Sequence, residues 1–337
     1  MQSNRIMECV PNFSEGKDAT IIARIAEAIA TVEDVKVLHT DVGEGANRTV
    51  ITFAGEPDAV VEAAFRGVKK AAELIDMSQH HGAHPRFGAT DVLPLIPISG
   101  VTMAEAIDYA RKLGKRIGDE LGISVYSYGE AAFDVRRREL SYCRMGQYEG
   151  LPKKMASTDG KPDFGPDTLN VRSGAVAVGA RDFLIAYNVN LNTDSVEIAK
   201  EIAGSVRESG RKSSGKTIAG LLKSVKAIGW YIDEYKSAQV SMNLTNIRQT
   251  PLHIAFDVVA TKAEELGARA TGSEIVGLVP LQSMLDAGRY FLLKNDQSAD
   301  VPEEELVKTA IDSMGLSDKY TFHPQTKIIE YVMNSNR

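Results

Sequence analysis

The chain has 337 residues, more than one compact domain usually holds, so its length predicts two domains. Its residues are 43% hydrophobic and 25% charged, with a formal charge of -6 at pH 7, which is typical of a globular protein. The acidic balance argues against a nucleic-acid partner. No stretch approaches the roughly 20 apolar residues of a membrane-spanning helix, so no membrane partner is expected.

The two cysteines, Cys9 and Cys143, are too few for a disulfide framework and have no metal-site spacing. We interpret both as buried structural thiols in a reducing compartment. The first residues lack the apolar core of a signal peptide, and we therefore expect a cytoplasmic protein.

Hydrophobic periodicity predicts alternating strands and helices in the first half of the chain. A polar turn is predicted at residues 41–48. The predicted strands are 4–10, 35–39, 49–53, 92–96 and 124–128, and the predicted helices are 19–31, 57–74 and 103–121. This order is typical of an α/β sandwich with helices packed on a sheet.

Residues 148–174 lack periodicity and are rich in Pro, Gly, Asp and Lys, which indicates a segment that is either functional or disordered. A second β-α-β-β-α-β order begins near residue 181. Its predicted strands are 182–190, 227–232, 239–244 and 274–278, and its predicted helices are 195–207, 251–266, 281–285 and 303–314. The pattern predicts two similar α/β subdomains, at residues 1–180 and 181–332, with a tail at 333–337.

Residues 80–91 gather three of the six histidines beside Gly, Pro, Arg and Asp. Imidazole titrates near neutral pH and suits proton transfer, so this loop is a candidate catalytic loop. A solvated polar turn explains the cluster about as well. The HxxxH spacing of His80 and His84 also permits a metal site, but Gly82 and Pro85 argue against the helix that such a site favours.

Three other segments carry candidate binding residues, each with a structural alternative. Asn12 follows the first strand, where Ser14 is equally suited to be a helix N-cap. Arg48 is placed to bind a carboxylate through two hydrogen bonds, or to form a surface ion pair. The glycines of residues 165–174 allow a ligand to approach the backbone, or merely shape a turn.

The motifs of several common enzyme classes are missing from the chain. It contains no GxxxxGK[ST], GxSxG, or GxGxxG after a strand. Nucleotide hydrolysis, α/β-hydrolase chemistry and dinucleotide binding are therefore disfavoured.

Seven segments together resemble the glutamate formiminotransferase family. They are ECVPNFSEG (8–16), NRTV (47–50), LIDMSQHHGAHPRFGATDVLPLIPI (74–98), QYEGLPKK (147–154), PDFGP (162–166), GWYIDE (229–234) and VGLVPL (276–281). The resemblance runs in order from about residue 6 to about residue 332. In animals this family forms the amino-terminal part of a bifunctional enzyme with a helical cyclodeaminase domain, and the chain resembles the stand-alone bacterial form.

The resemblance implies transfer of a formimino group between N-formimino-L-glutamate and N5 of tetrahydrofolate, in histidine degradation. It implies tetrahydrofolate as co-substrate, no metal, a homodimer, and two subdomains whose sheets face each other across a folate tunnel. The catalytic histidine of the family corresponds to His84. The folate-binding stretch, whose middle departs from the animal pattern, corresponds to Gly165, Pro166, Asp167, Thr168, Leu169, Asn170, Val171, Arg172, Ser173 and Gly174.

The chemistry of the substrates suggests further roles. An amidine is protonated at neutral pH and favours a nearby carboxylate, for which Asp41 is the first candidate and Asp91 the second. The alternatives are turn capping for Asp41 and a strand-start role for Asp91. Arg48 and Arg86 are candidates for the substrate carboxylates, and Asn12 is a candidate hydrogen-bonding partner of the substrate or the pterin. His80 or His81 is a candidate to orient His84, and simple solvation of both rings is an equal alternative.

Three rival functions stay open from sequence alone. Formyl transfer from N-formylglutamate to tetrahydrofolate would use the same pocket. A non-catalytic folate carrier or scaffold is a second alternative, although a pure binder has no need of a histidine beside Arg and Asp. A metalloprotein is a distant third.

Overall fold

A computed structural model of the chain describes residues 5–43, 47–81, 86–213, 215–232 and 235–334. The chain divides into two compact units, Met1–Arg181 and Asp182–Arg337. Each unit is mixed α/β, with helices against its sheet, as the alternating pattern predicts.

The first unit contains one seven-stranded sheet. Its elements are β1 (Ile6–Cys9), β2 (Asn12–Phe13), α1 (Ala19–Ala30), β3 (Val35–Gly43), β4 (Arg48–Gly55), α2 (Pro57–Leu74), β5 (Thr90–Ser99), α3 (Met103–Leu121), β6 (Ser124–Gly129), α4 (Leu140–Cys143), α5 (Gln147–Met155) and β7 (Ala175–Ala180). β1 and β2 follow one another between β4 and β5, so the order across the sheet is β3, β4, β1/β2, β5, β7, β6. β5, β7 and β6 are parallel, and the other pairs are antiparallel.

The three long helices of this unit, α1, α2 and α3, begin at side-chain caps. The carboxylate of Asp18 accepts hydrogen bonds from Thr20 N (2.8 Å) and Ile21 N (3.3 Å) at the start of α1. The suggestion that Ser14 caps a helix is therefore wrong: its hydroxyl donates to Gly88 O instead, at 2.8 Å. Thr102 and Glu105 form a reciprocal capping box at the start of α3, which satisfies two backbone donors that the helix leaves unpaired.

The two faces of the sheet pack against different partners. Side chains such as Cys9, Ile51, Phe53 and Leu93 form a large core with α1, α2 and α3. Residues one position away along the strands point to the opposite face. There, a smaller apolar cluster joins β5, β6 and β7 to α4 and α5, and it consists of Phe87, Val92, Tyr126, Tyr128, Cys143, Leu151, Met155, Ala175 and Ala177.

Sequence periodicity misses several elements of the first unit. Asp41 to Gly43 continue β3, so the turn predicted at residues 41–48 is shorter than expected. The segment predicted to be aperiodic contains α5, which spans only two to three turns and includes Pro152. β7 follows it with the sequence AVAVGA, buried on both faces, so it shows no polar alternation.

The second unit has a four-stranded antiparallel sheet. Its elements are β8 (Ile185–Leu191), α6 (Val196–Val206), β9 (Arg211–Ser213), β10 (Lys216–Ile218), β11 (Val225–Ile232), β12 (Ser237–Leu244), α7 (Leu252–Glu265), β13 (Ala270–Val276), α8 (Leu281–Lys294), α9 (Glu303–Ser313), α10 (Pro324–Lys327) and α11 (Ile329–Asn334). The sheet order is β11, β12, β8, β13, with the hairpin β9–β10 inserted before β11.

The strand orders of the two units correspond. In the first unit β3, β4, β1/β2 and β5 occupy the positions that β11, β12, β8 and β13 occupy in the second. Both units are therefore β-α-β-β-α-β folds with the same order, and the first adds the parallel strands β7 and β6. Within the described residues, no helix is long and apolar enough to cross a membrane.

Candidate active site

Most of the described residues singled out in the first unit lie at one edge of its sheet, meaning the side at which strands end or begin. β2 and β3 end at this edge, and β4, β5 and β7 begin there, because β4 and β5 run antiparallel to β2. Asn12, Arg48 and Asp91 consequently meet, although 36 and 43 residues separate them along the chain. Such clustering at strand ends places polar side chains on a rigid support.

A buried ion cluster forms the centre of this edge. The carboxylate of Asp91, only 2% exposed, lies 3.2 Å from Nη2 of Arg48 and accepts a 3.2 Å hydrogen bond from Nε of Arg144. Arg144 also donates to Asp91 through Nη2. Burial lowers the pKa of Arg48 to about 10. Burial, and then the charge of Arg48, lower the pKa of Arg144 to about 10.

The register of the strands places a row of polar side chains on one face of the sheet. Asp41 of β3 and Asn12 of β2 are each paired with Val50 of β4, so all three side chains point to the same face. Arg48, two residues before Val50, points to that face too, and its Nε donates to Asn12 Oδ1 at 2.9 Å. Asp41 is exposed. The face therefore presents a carboxylate, an amide and a guanidinium together.

Asn47 ties three loops together beside this row. Its Oδ1 accepts from Gly16 N at 2.9 Å, its Nδ2 donates to His81 O at 2.9 Å, and its carbonyl lies 3.0 Å from Nε2 of His80. Its φ of 50° is in the left-handed region, which Asn tolerates better than most residues. The candidate histidine loop is thus anchored to the turn that carries Arg48.

Arg86 holds the other end of the histidine loop. Its guanidinium donates to the carbonyls of Met77 and His80, pairs with Glu149 of α5, and lies 5.6 Å from the ring centroid of Tyr148. These contacts describe a side chain that clamps the loop to α5. They leave Arg86 less suited than Arg48 to bind a substrate carboxylate.

The segment 165–174 lies directly beside the histidine loop. Met77 N donates to Arg172 O (2.8 Å), and Ala89 N donates to Ser173 O (2.8 Å). Its turn is closed by Asn170, whose carbonyl accepts from Gly174 N at 2.7 Å and whose Oδ1 accepts from Ser173 N at 3.0 Å. Its remaining residues include exposed Asp167, Thr168 and Val171. Gly165 and Arg172 are exposed as well, so five positions of the segment are accessible to a ligand.

Two glycines make this proximity possible. A β-carbon on Gly88 would lie 2.1 Å from Ala175 O, and one on Gly174 would lie 2.5 Å from Phe87 O. Gly174 also has a φ of 67°, which strains other residues. The histidine loop and the segment 165–174 are therefore in backbone contact because both positions lack a side chain.

The predicted catalytic residue His84 lies outside the described residues, because the structure does not describe residues 82–85. It does not describe residues 44–46 either. The possible metal pair of His80 and His84 therefore has no described geometry. His80 itself is buried, and its Nε2 must carry the proton because the Asn47 carbonyl can only accept. Among the described residues, no hydrogen bond reaches its Nδ1.

Comparisons of the chain with known protein families identify the family to which it belongs. A family model described as the N-terminal subdomain of the formiminotransferase domain matches residues 6–181, and one described as the formiminotransferase domain matches residues 186–334. The chain belongs to the formiminotransferase family.

Named relatives match most of the length of this chain. Glutamate formimidoyltransferase of Thermoplasma acidophilum is 45% identical over 308 residues, which are 90% of this chain and 98% of the relative. The protein of the same name from Streptococcus pyogenes is 39% identical, covering 87% and 95%. Formimidoyltransferase-cyclodeaminase of Dictyostelium discoideum is 45% identical over 99% of this chain, which spans 61% of that relative's length.

Sequence reasoning missed two residues of this candidate site. Arg144 follows a four-residue helix in a region without periodicity, and its sequence context does not distinguish it from the neighbouring arginines; its contact with Asp91 does. Asn47 is part of a quoted motif, but its positive φ and its three loop contacts have no signature in sequence. Asp91 was a second candidate for the amidine, and here both of its oxygens already meet guanidinium groups.

A buried, neutral His80 should make the stability of this protein depend on pH. Burial lowers the pKa of His80, opposed in part by its hydrogen bond to Asn47. The unfolded chain therefore takes up this proton first as the pH falls below the ordinary value of 6.5. The contribution of neutral His80 to the free energy of unfolding is therefore complete above about pH 6.5 and declines below it.

The measurement is the free energy of unfolding in urea from about pH 8 to about pH 5, for the wild type and His80→Gln. We expect the wild type to lose more stability than the variant over this range. Equal slopes for the two proteins would contradict a neutral, buried His80.

Proposed function

We propose that the chain is a glutamate formimidoyltransferase, which transfers a formimino group between N-formimino-L-glutamate and N5 of tetrahydrofolate in histidine degradation. The observation that carries the proposal is the match over nearly the whole length of two relatives of that name. The convergence of Asn12, Asp41, Arg48 and the histidine loop at one sheet edge supports it.

The reaction exchanges one amine for another on an amidine carbon. N5 of tetrahydrofolate attacks this carbon and loses its proton, the tetrahedral intermediate forms, and the glutamate nitrogen leaves after gaining a proton. In this proposal His84 accepts the first proton and delivers the second, so that the histidine is regenerated. A general acid–base of this kind contributes about 10² to 10⁴ in rate.

The surrounding residues bind and orient the substrates. Asp41 stabilises the protonated amidine, Arg48 a carboxylate of the amino acid, and Asn12 orients the substrate or the pterin. Exposed atoms within 165–174 contact the folate, with the segment held in place by its bonds to Met77 and Ala89. Bringing two bound amines into attack geometry supplies much of the remaining rate.

The proposal includes a cytoplasmic location, a homodimer, tetrahydrofolate as co-substrate and no resident metal. The direct test incubates the purified protein with tetrahydrofolate and N-formimino-L-glutamate, and follows glutamate release and the formimino-folate product by mass spectrometry. N-formyl-L-glutamate is the parallel donor. Exclusive use of the formyl donor would replace the proposal with formyl transfer, and folate binding without turnover of either donor would indicate a folate carrier.

A further inference from the structure

We propose that Arg48 and Arg144, bridged by Asp91, together bind one carboxylate of the amino-acid substrate, and that Arg144 thereby determines specificity for a dicarboxylic amino acid. The inference rests on the proposed function for the identity of its substrate. It extends that function to a residue outside every motif noted in the sequence.

The charge of the cluster favours an anion. Two guanidinium groups carry two positive charges, and the bridging carboxylate of Asp91 carries one negative charge. The arginine side chains are only 14% and 16% exposed, so little water screens this excess. Burial lowers the pKa of both arginines, and a bound carboxylate would oppose that effect.

The geometry of the cluster is set before any substrate binds. Nε of Arg144 and Nη2 of Arg48 both meet Asp91, and Nε of Arg48 meets Asn12. Side chains oriented by such partners lose less conformational entropy when a ligand binds. A guanidinium also presents several donors in one plane, which matches the two oxygens of a carboxylate.

The charges on the open face complement those of formiminoglutamate. This substrate carries a positive amidinium and two negative carboxylates. Asp41 offers a negative charge on the same sheet face as Arg48 and Asn12. Arg86, the other candidate from sequence, clamps the histidine loop to α5 through two carbonyls and Glu149, whereas Arg144 contacts the same carboxylate as Arg48. Arg144 is therefore the better second guanidinium beside Arg48.

The experiment compares Arg144→Gln and Arg144→Lys with the wild type and with Arg138→Gln. Arg138 is a matched control, since its side chain is 58% exposed and paired with Glu130 at 3.4 Å. Three donors are used: N-formimino-L-glutamate, N-formimino-L-glutamine and N-formimino-γ-aminobutyrate. The second lacks the side-chain carboxylate and the third lacks the α-carboxylate.

Loss of a charged hydrogen-bonding partner is expected to raise the KM of Arg144→Gln for formiminoglutamate about 10- to 100-fold. The KM for tetrahydrofolate should stay within about threefold, since the proposed function assigns the folate to residues 165–174 and the amino-acid carboxylate to this cluster. The rise in KM caused by Arg144→Gln should disappear with one of the two truncated donors, the one that lacks the carboxylate bound by Arg144. Arg144→Lys should recover part of the affinity, and Arg138→Gln should match the wild type.

A penalty that persists with both truncated donors, or no penalty at all, would overturn the inference. Calorimetric titration with glutarate, a dicarboxylate without an amidine, separates this inference from the proposed function. Arg144-dependent glutarate binding in a protein that transfers no formimino group would retain the carboxylate site and refute the transferase. Normal transfer by Arg144→Gln with an unchanged KM would retain the transferase and refute the carboxylate site.

Discussion

A protein carrying His84→Gln is expected to turn over at least about 100-fold more slowly than the wild type, while binding tetrahydrofolate with nearly the same dissociation constant. Gln retains hydrogen-bonding capacity but cannot accept and return a proton near neutral pH. The loss should therefore appear in kcat, with KM values little changed. Steady-state kinetics and a folate titration measure the two quantities separately.

The control for this substitution is His323→Gln, which changes an exposed histidine of the second unit and should leave kcat unaltered. Imidazole added to His84→Ala should restore part of the rate, because a diffusing base of similar pKa can replace the missing ring. Near-normal turnover by His84→Gln would refute the acid–base role. The formimino transfer itself would then need another proton carrier, for which His81 is the nearest histidine in sequence.

Phe87→Ala should lower the free energy of unfolding by about 3–5 kcal/mol, the usual cost of removing a buried aromatic ring. Phe87 is fully buried, with its ring centroid 5.5 Å from that of Tyr126 and 5.3 Å from Nζ of Lys154. Its carbonyl accepts from Ala175 N at 3.1 Å, so the cavity would form at the contact between the histidine loop and β7. Urea unfolding followed by circular dichroism measures the change.

Phe133→Ala is the matched control, since it removes the same ring from a residue that is 57% exposed. Phe133 contacts Phe164 and Arg111, so a loss of about 1 kcal/mol is expected there. Equal losses at the two positions would mean that the small apolar cluster around Phe87 contributes little to stability. A loss at Phe87 with weakened folate binding would support the coupling of the histidine loop to residues 165–174.

The fold was largely predictable wherever one periodicity persisted over many residues. The helix Pro57–Leu74 has the predicted bounds, because its apolar residues recur on one face and Pro57 and Ile75 bracket it. β7 escaped prediction because a strand buried on both faces shows no alternation. The paired strands β9 and β10 have three residues each, too few apolar residues to leave a pattern, and β10 is exposed.

The candidate site was predictable only in part. Arg48 was a candidate carboxylate ligand from its residue type and position, and Asp91 a second candidate for the amidine; both also lie in motifs of the resemblance, and the β4–β2–β5 pairing brings them together. Arg144 depends on a contact across 53 residues, and no local pattern encodes such a contact. The left-handed conformation of Asn47 likewise follows from the three loops that it joins, and the tripeptide Asn-Arg-Thr alone does not specify it.

The two buried cysteines have a practical consequence. Burial raises the pKa of Cys9 well above its ordinary value and that of Cys143 to about 11, so neither presents a reactive thiolate at neutral pH. A single cysteine introduced at exposed Glu33, in the turn before β3, would therefore be the preferred target of a maleimide dye. That turn lies at the sheet edge opposite Asn12 and Arg48. The natural sequence thus serves as a ready background for site-specific fluorescent labelling, without first replacing its own thiols.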